Sequence, residues 1–148
     1  MTAIDDLLAD FEILDDWEDR YRHVIELGRD LPALPDTDHA PGNKVKGCAS
    51  QVWITSAVDD ASGEPVLTFQ GDSDALIVKG LIAIAFMIYS GKTAQQILST
   101  DAGEVLGRLG LSGHLTQQRS NGFASMIQRI KSDAQTALHA EPPRFESP

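Results

Sequence analysis

The chain has 148 residues, of which 42% are hydrophobic and 23% charged, values that suit one globular domain and exclude a wholly disordered chain. Twelve Lys and Arg against 22 Asp and Glu leave a formal net charge of −10; so acidic a surface repels phosphate backbones and anionic lipid, which argues against nucleic-acid and membrane-surface roles. The charge is concentrated, with 12 acids and 3 bases in residues 1–40, so this segment reads as a solvated helix face, a patch for a basic partner being the alternative.

In chain order, Ile4, Leu7, Leu8 and Phe11 recur at i, i+3, i+4, i+7 and predict an amphipathic helix. Asp15, three residues before Glu18, predicts the cap of a second helix with the stripe Trp17, Tyr21, Val24 and Ile25, ending at Gly28. Pro32, Pro35, Pro41 and Gly42 make Arg29 to Asn43 a loop. Gln51 to Val58 alternates with period two and reads as a strand; Asp59 to Gly63 supplies a turn, and Pro65 to Gln70 the returning strand. Val45 is a candidate for a short third strand. Gly71 to Asp74 reads as the cap of a helix containing the run Leu81 to Tyr89, apolar nearly all round and therefore buried and central. That run is half the ~18 residues a membrane span needs.

Thr93 with Gln96 forms a capping box for a helix reaching Leu98, Asp101 with Glu104 opens another through Leu109, and Thr116 caps a last one with the stripe Phe123, Met126, Ile127, Ile130, Ala134 and Leu138. The order predicts an α+β domain over residues 1–140, a small antiparallel sheet of about three strands packed against helices, with 141–148 as a tail. The N-terminus is acidic from residue 5, unlike a signal or transit peptide, so a cytoplasmic location is expected.

Cys48 is the one cysteine, so an internal disulfide, a four-cysteine zinc site and a self-contained iron–sulfur cluster are excluded. It follows the proline loop, beside Gly47, which permits a tight turn and close approach. Lys44 and Lys46 precede it, and neighbouring cations favour the nucleophilic thiolate. The competing reading is a buried structural cysteine. A Cys–His nucleophile pair with His39 or His114 is a further alternative. Asp72 and Asp74 are candidate paired carboxylates, although capping of the following helix explains them more simply. No metal-ligand spacing and no nucleotide-binding loop are present in the sequence.

Four blocks in order carry a resemblance: N-x-V-x-G-C-x-S-Q-V-W at Asn43–Trp53, G-D-S-D-A at Gly71–Ala75, I-V-K-G-L at Ile77–Leu81 and R-S-N-G at Arg119–Gly122, with Leu27-Gly28 and Leu31-Pro32 besides. Together they resemble the SufE family, sulfur acceptors of SufS-type cysteine desulfurases, and the CsdE-type acceptors are a sister group. The resemblance implies a fold shared with IscU-type scaffolds and a cysteine on an exposed loop tip. It implies that Cys48 accepts a persulfide sulfur and passes it to a scaffold such as SufBCD, stimulating a desulfurase that uses pyridoxal phosphate while this chain binds no cofactor or metal. The loop and partner contacts it implies are Lys46, Gly47, Ser50, Gln51, Asp74 and Arg119, in a monomer or weak homodimer. Ala49 stands where the family usually has Gln. An allosteric desulfurase-binding module with Cys48 incidental, or a stand-alone thiol enzyme, are the other readings.

Overall fold

The computed structural model describes residues 3–48 and 50–139. Helix α1 (Ala3–Ile13) and helix α2 (Trp17–Arg29) lead through short 3-10 turns at Asp36–Asp38 and Pro41–Asn43 to strand β1 (Val52–Asp59) and strand β2 (Val66–Ser73). Then come α3 (Leu76–Tyr89), the two-residue β3 (Lys92–Thr93), α4 (Ala94–Ser99), α5 (Ala102–Leu109) and the long α6 (Gln117–His139). The class is α+β, as the sequence predicts; Ala49, the tail 141–148 and residue 140 lie outside the described residues.

The core is built around α3, in which Leu81, Ile82, Ile84, Ala85, Ile88 and Tyr89 are all buried. A helix apolar on every face is stable in water only when other elements cover it, and α2, β2, α6 and α1 pack on it. The Tyr89 hydroxyl inside this core donates to the Thr100 carbonyl at 2.8 Å, so it is not left unpaired, which would cost about 1–3 kcal/mol.

The sheet has the order β1-β2-β3 and is antiparallel throughout. Residues Val52↔Ser73 through Asp59↔Val66 pair across the hairpin. Val52 and Ile54 point into the core, whereas Val58 at the far end is 51% exposed. The inward-facing alternation predicted for β1 therefore holds only for its first half, because the hairpin runs out past the helices.

Four boundaries differ from expectation. The cap of α2 is Asp16, one residue later than predicted, its carboxylate accepting the Glu18 amide at 3.0 Å. Gly28 does not end α2: it lies buried within the helix where α2 crosses α3, and a Cβ there would stand 2.6 Å from the Gly80 amide nitrogen. Gly71, Asp72 and Ser73 do not cap α3 but continue β2, because Val52 to Ile54 stand opposite and pair with them. The third strand is β3 on the other side of β2, while Val45 lies in a single bridge formed beside β1, Lys44 opposite Trp53. The Thr93–Gln96 capping box and the Asp101 cap form as predicted, and the Thr116 hydroxyl accepts the Arg119 amide at 3.2 Å.

Candidate functional site

The segment carrying Cys48 is a short loop with fastened stems. On the incoming side the Val45 amide donates to the Val52 carbonyl at 2.8 Å, and the Val45 side chain is buried. On the outgoing side the Gln51 amide donates to Asp74 Oδ1 at 3.1 Å, and the Asp74 amide returns a bond to the Gln51 carbonyl at 3.4 Å. These bonds extend the β1–β2 pairing by one residue. Lys46 and Gly47 make the turn, Gly47 at φ +91°, in the left-handed region that suits glycine.

The turn lays Cys48 on α6. Its Sγ donates to the Gly122 carbonyl at 3.6 Å, a long and weak bond. The thiol is half-buried, not fully exposed at the tip as the family resemblance implies. It faces a cavity of about 210 Å³ with an apolar floor of Val78, Leu81 and Met126, a wall of Ser50, Ala75 and Gly122, and a polar rim of Thr116, Gln118 and Arg119. Arg119 is exposed and forms no ion pair among the described residues. Loop, α3 N-terminus and α6 are thus three distant stretches of chain that meet around one sulfur.

Burial pushes the Cys48 thiol up from its ordinary value. The expectation that Lys44 and Lys46 favour the thiolate is therefore corrected: both side chains are exposed, and desolvation alone governs the thiol. In this conformation the sulfur is a protonated, weakly nucleophilic group. Among the proposed loop and partner residues, Lys46 and Gly47 form the turn, Ser50 and Arg119 line the cavity, and Gln51 and Asp74 clamp each other without reaching it.

The histidine alternatives do not form. His39 Nε2 bonds Asp72 Oδ2 at 2.8 Å and its ring meets Trp53 edge-on at 4.7 Å, while His114 stacks on Trp17 at 3.6 Å. Neither lines the Cys48 cavity. Asp72 and Asp74 do not work as a pair or as helix caps: Asp74 holds Gln51, and Asp72 receives His39, the Ser73 amide at 2.8 Å and Lys79 at 3.5 Å.

The sequence reading missed Gly122 as the partner of the thiol, Ser125 beneath Gly47, and Arg129, whose guanidinium donates to the Gly42 and Ile54 carbonyls at 3.3 Å each and ties α6 to the stem of the loop. The R-S-N-G block pointed at the first of these; backbone acceptors and small residues on a helix leave no signal of their own.

The chain is similar to known proteins in sequence and in fold. The sequence matches the SufE profile, described as the Fe–S metabolism associated domain, over residues 5–134. A SufE-like protein of Rhizobium meliloti (strain 1021) is 54% identical over 141 residues, covering 95% of this chain and all of that one. Another, from Rhizobium etli, is 50% identical over 140 residues, covering 95% of each. A solution structure of a hypothetical protein from Thermus thermophilus superposes with a TM-score of 0.68 over 93% of this chain and 96% of that one, and at 21% identity it speaks for the fold alone. With the profile spanning nearly the whole chain and full-length relatives at half identity or better, the chain belongs to the SufE family, associated with Fe–S metabolism.

Proposed function

We propose that the protein is a sulfur carrier in which Cys48 accepts sulfur from a SufS-type cysteine desulfurase and passes it to a SufBCD-type cluster scaffold. The observation that carries this reading is the lone thiol on a short loop over a cavity, within a SufE-family chain. The Cys48 thiolate attacks the terminal sulfur of the donor's persulfide; the new S–S bond makes Cys48 a persulfide, and the donor's cysteine leaves as its thiolate. No external oxidant or reductant enters, because the bond broken and the bond formed are of one kind. Delivery repeats the step with Cys48 as the leaving thiolate. The protein turns over no substrate alone and carries no pyridoxal phosphate, which belongs to the desulfurase.

At rest the half-buried thiol stays protonated, which protects it from oxidation and from wasteful reaction. A partner that draws the loop out restores the thiol's hydration and its ordinary reactivity, so docking and activation are one event. A lone cysteine also avoids trapping the sulfur: a second thiol nearby would attack the persulfide and close a disulfide.

Intact-mass measurement after mixing with a cysteine desulfurase and free cysteine tests the reading. One added sulfur mapped to Cys48 and removed by a reductant is expected, and Cys48→Ser is expected to bind the desulfurase without stimulating it. Full stimulation by Cys48→Ser would transfer the role to an allosteric module.

A further inference from the structure

The contacts of the Cys48 loop divide sharply. Its stems are held to the sheet side by backbone pairing at Val45–Val52 and by Asp74 on Gln51. Its tip touches α6 at two positions that carry little bulk. Gly122 lies under Cys48, where an added Cβ would stand 3.7 Å from Sγ and 3.9 Å from the Cys48 Cβ; Ser125 lies under Gly47, its Oγ 2.6 Å from where a Gly47 Cβ would be. One helical turn thus carries both contacts, three residues apart on one face.

We infer that Gly122 and Ser125 form a retention seat on α6 whose lack of bulk holds the Cys48 loop down, making them positioning residues that set how often the thiol is presented. Among the described residues the tip is retained there by a weak S–H bond and by van der Waals contact, whereas the stems are retained by ladder bonds. Lifting the tip leaves the stems paired, so presentation needs no unfolding of the sheet. Adding bulk at the seat raises the presented fraction by displacing the thiol from α6, while Cys48, the residues of the cavity floor and Arg119 are all kept.

Spacing makes the requirement graded. The 3.7 Å left by an alanine Cβ is ordinary contact, so Gly122→Ala fits beneath the sulfur. Gly122→Val carries carbon a bond length further and must displace Sγ. A larger side chain at 125 must likewise lift Gly47, because Ser125 Oγ already stands 2.6 Å from where a Gly47 Cβ would be.

The test is the rate of Cys48 alkylation by iodoacetamide in the full chain, mapped by mass, alongside circular dichroism and a thermal melt. Gly122→Ala is expected within about twofold of wild type, while Gly122→Val and Ser125→Leu are expected to react about tenfold or more faster with the fold retained. Folded Val and Leu variants reacting at the wild-type rate would overturn the seat, and so would an alanine variant as fast as valine. Should Gly122→Val not fold, the more exposed position 125 decides. Amide exchange in the wild type decides independently: fast exchange at Lys46 to Cys48 with slow exchange at Val45 and Gln51 is expected, and uniform protection across the loop would sink the hinge. The bearing on sulfur transfer rests on the proposed function, but alkylation needs no desulfurase, so failure of the carrier reading and failure of the seat give different results.

Discussion

Asp74 shows how much one carboxylate does at this site. A single oxygen accepts the Gln51 amide and fixes the chain three residues after the thiol. Replacing it with Ala should lower stability by about 0.5–1.5 kcal/mol, the net worth of such a bond, read as a lower urea midpoint; an unchanged midpoint would show the clamp to be slack. Its neighbour Asp72 does different work. The hydrogen bond that His39 donates to Asp72, with the carboxylate's charge behind it, raises the His39 imidazole above its ordinary value of 6.5. Partial burial works to raise the Asp72 carboxyl, but His39, the Ser73 amide and Lys79 outweigh it and hold it below 3.8. The His39 contribution is therefore complete below its unfolded value and is lost as pH rises through the raised one; the Asp72 contribution is present above 3.8 and is lost as pH falls through the lowered one. The melting temperature of wild type should exceed that of His39→Gln at about pH 5.5, with the gap shrinking by about pH 8.5. A gap independent of pH would remove the charged pair from the account. Neither aspartate's partner was legible in the sequence: both precede a helix and read as caps, while Gln51 and His39, which claim them, lie 23 and 33 residues away.

Among the elements, α2 and α3 cross in close contact. Gly28 and Gly80 face each other there, and a Cβ on Gly80 would run into the Val24 carbonyl. Gly80→Ala should destabilise the chain by about 1–3 kcal/mol through overpacking, against the ordinary helix preference for alanine, and a urea midpoint at or above wild type would show that the helices can part without loss. The helices and three of the caps were legible because periodicity and capping are local chemistry. Gly28 was misread for the same reason, since a glycine near a helix end looks like a terminator until its neighbour in space is known. The far part of β2 was hidden in the same way: Gly-Asp-Ser-Asp has the composition of a turn, and only Val52 to Ile54 opposite make it a strand.

For the molecule as a whole, the site exists only through the fold. Cys48, Ser50, Ala75, Leu81, Gly122 and Met126, drawn from three stretches of chain, close one cavity, and all four recognisable sequence blocks contribute to it. The position of the thiol was legible from its glycine and the blocks around it; its half-burial on Gly122 was not, because a backbone carbonyl on a helix has no side-chain signature. Of the nine surplus acids in residues 1–40, four lie on α1 and five in the segments outside the two helices, while the three acids and three bases of α2 balance. No helix among the described residues is long and apolar enough to cross a membrane.

The bond joining Val45 to Val52 also sets a radius of action. Three residues separate the thiol from the closed base, and three residues at full stretch span only about 10–11 Å. If Cys48 carries sulfur, it does so as a short tether and not as a swinging arm. Donor and acceptor must each come up to the same small area of surface, so they must take turns there, and the loaded protein has to leave the first before it can meet the second.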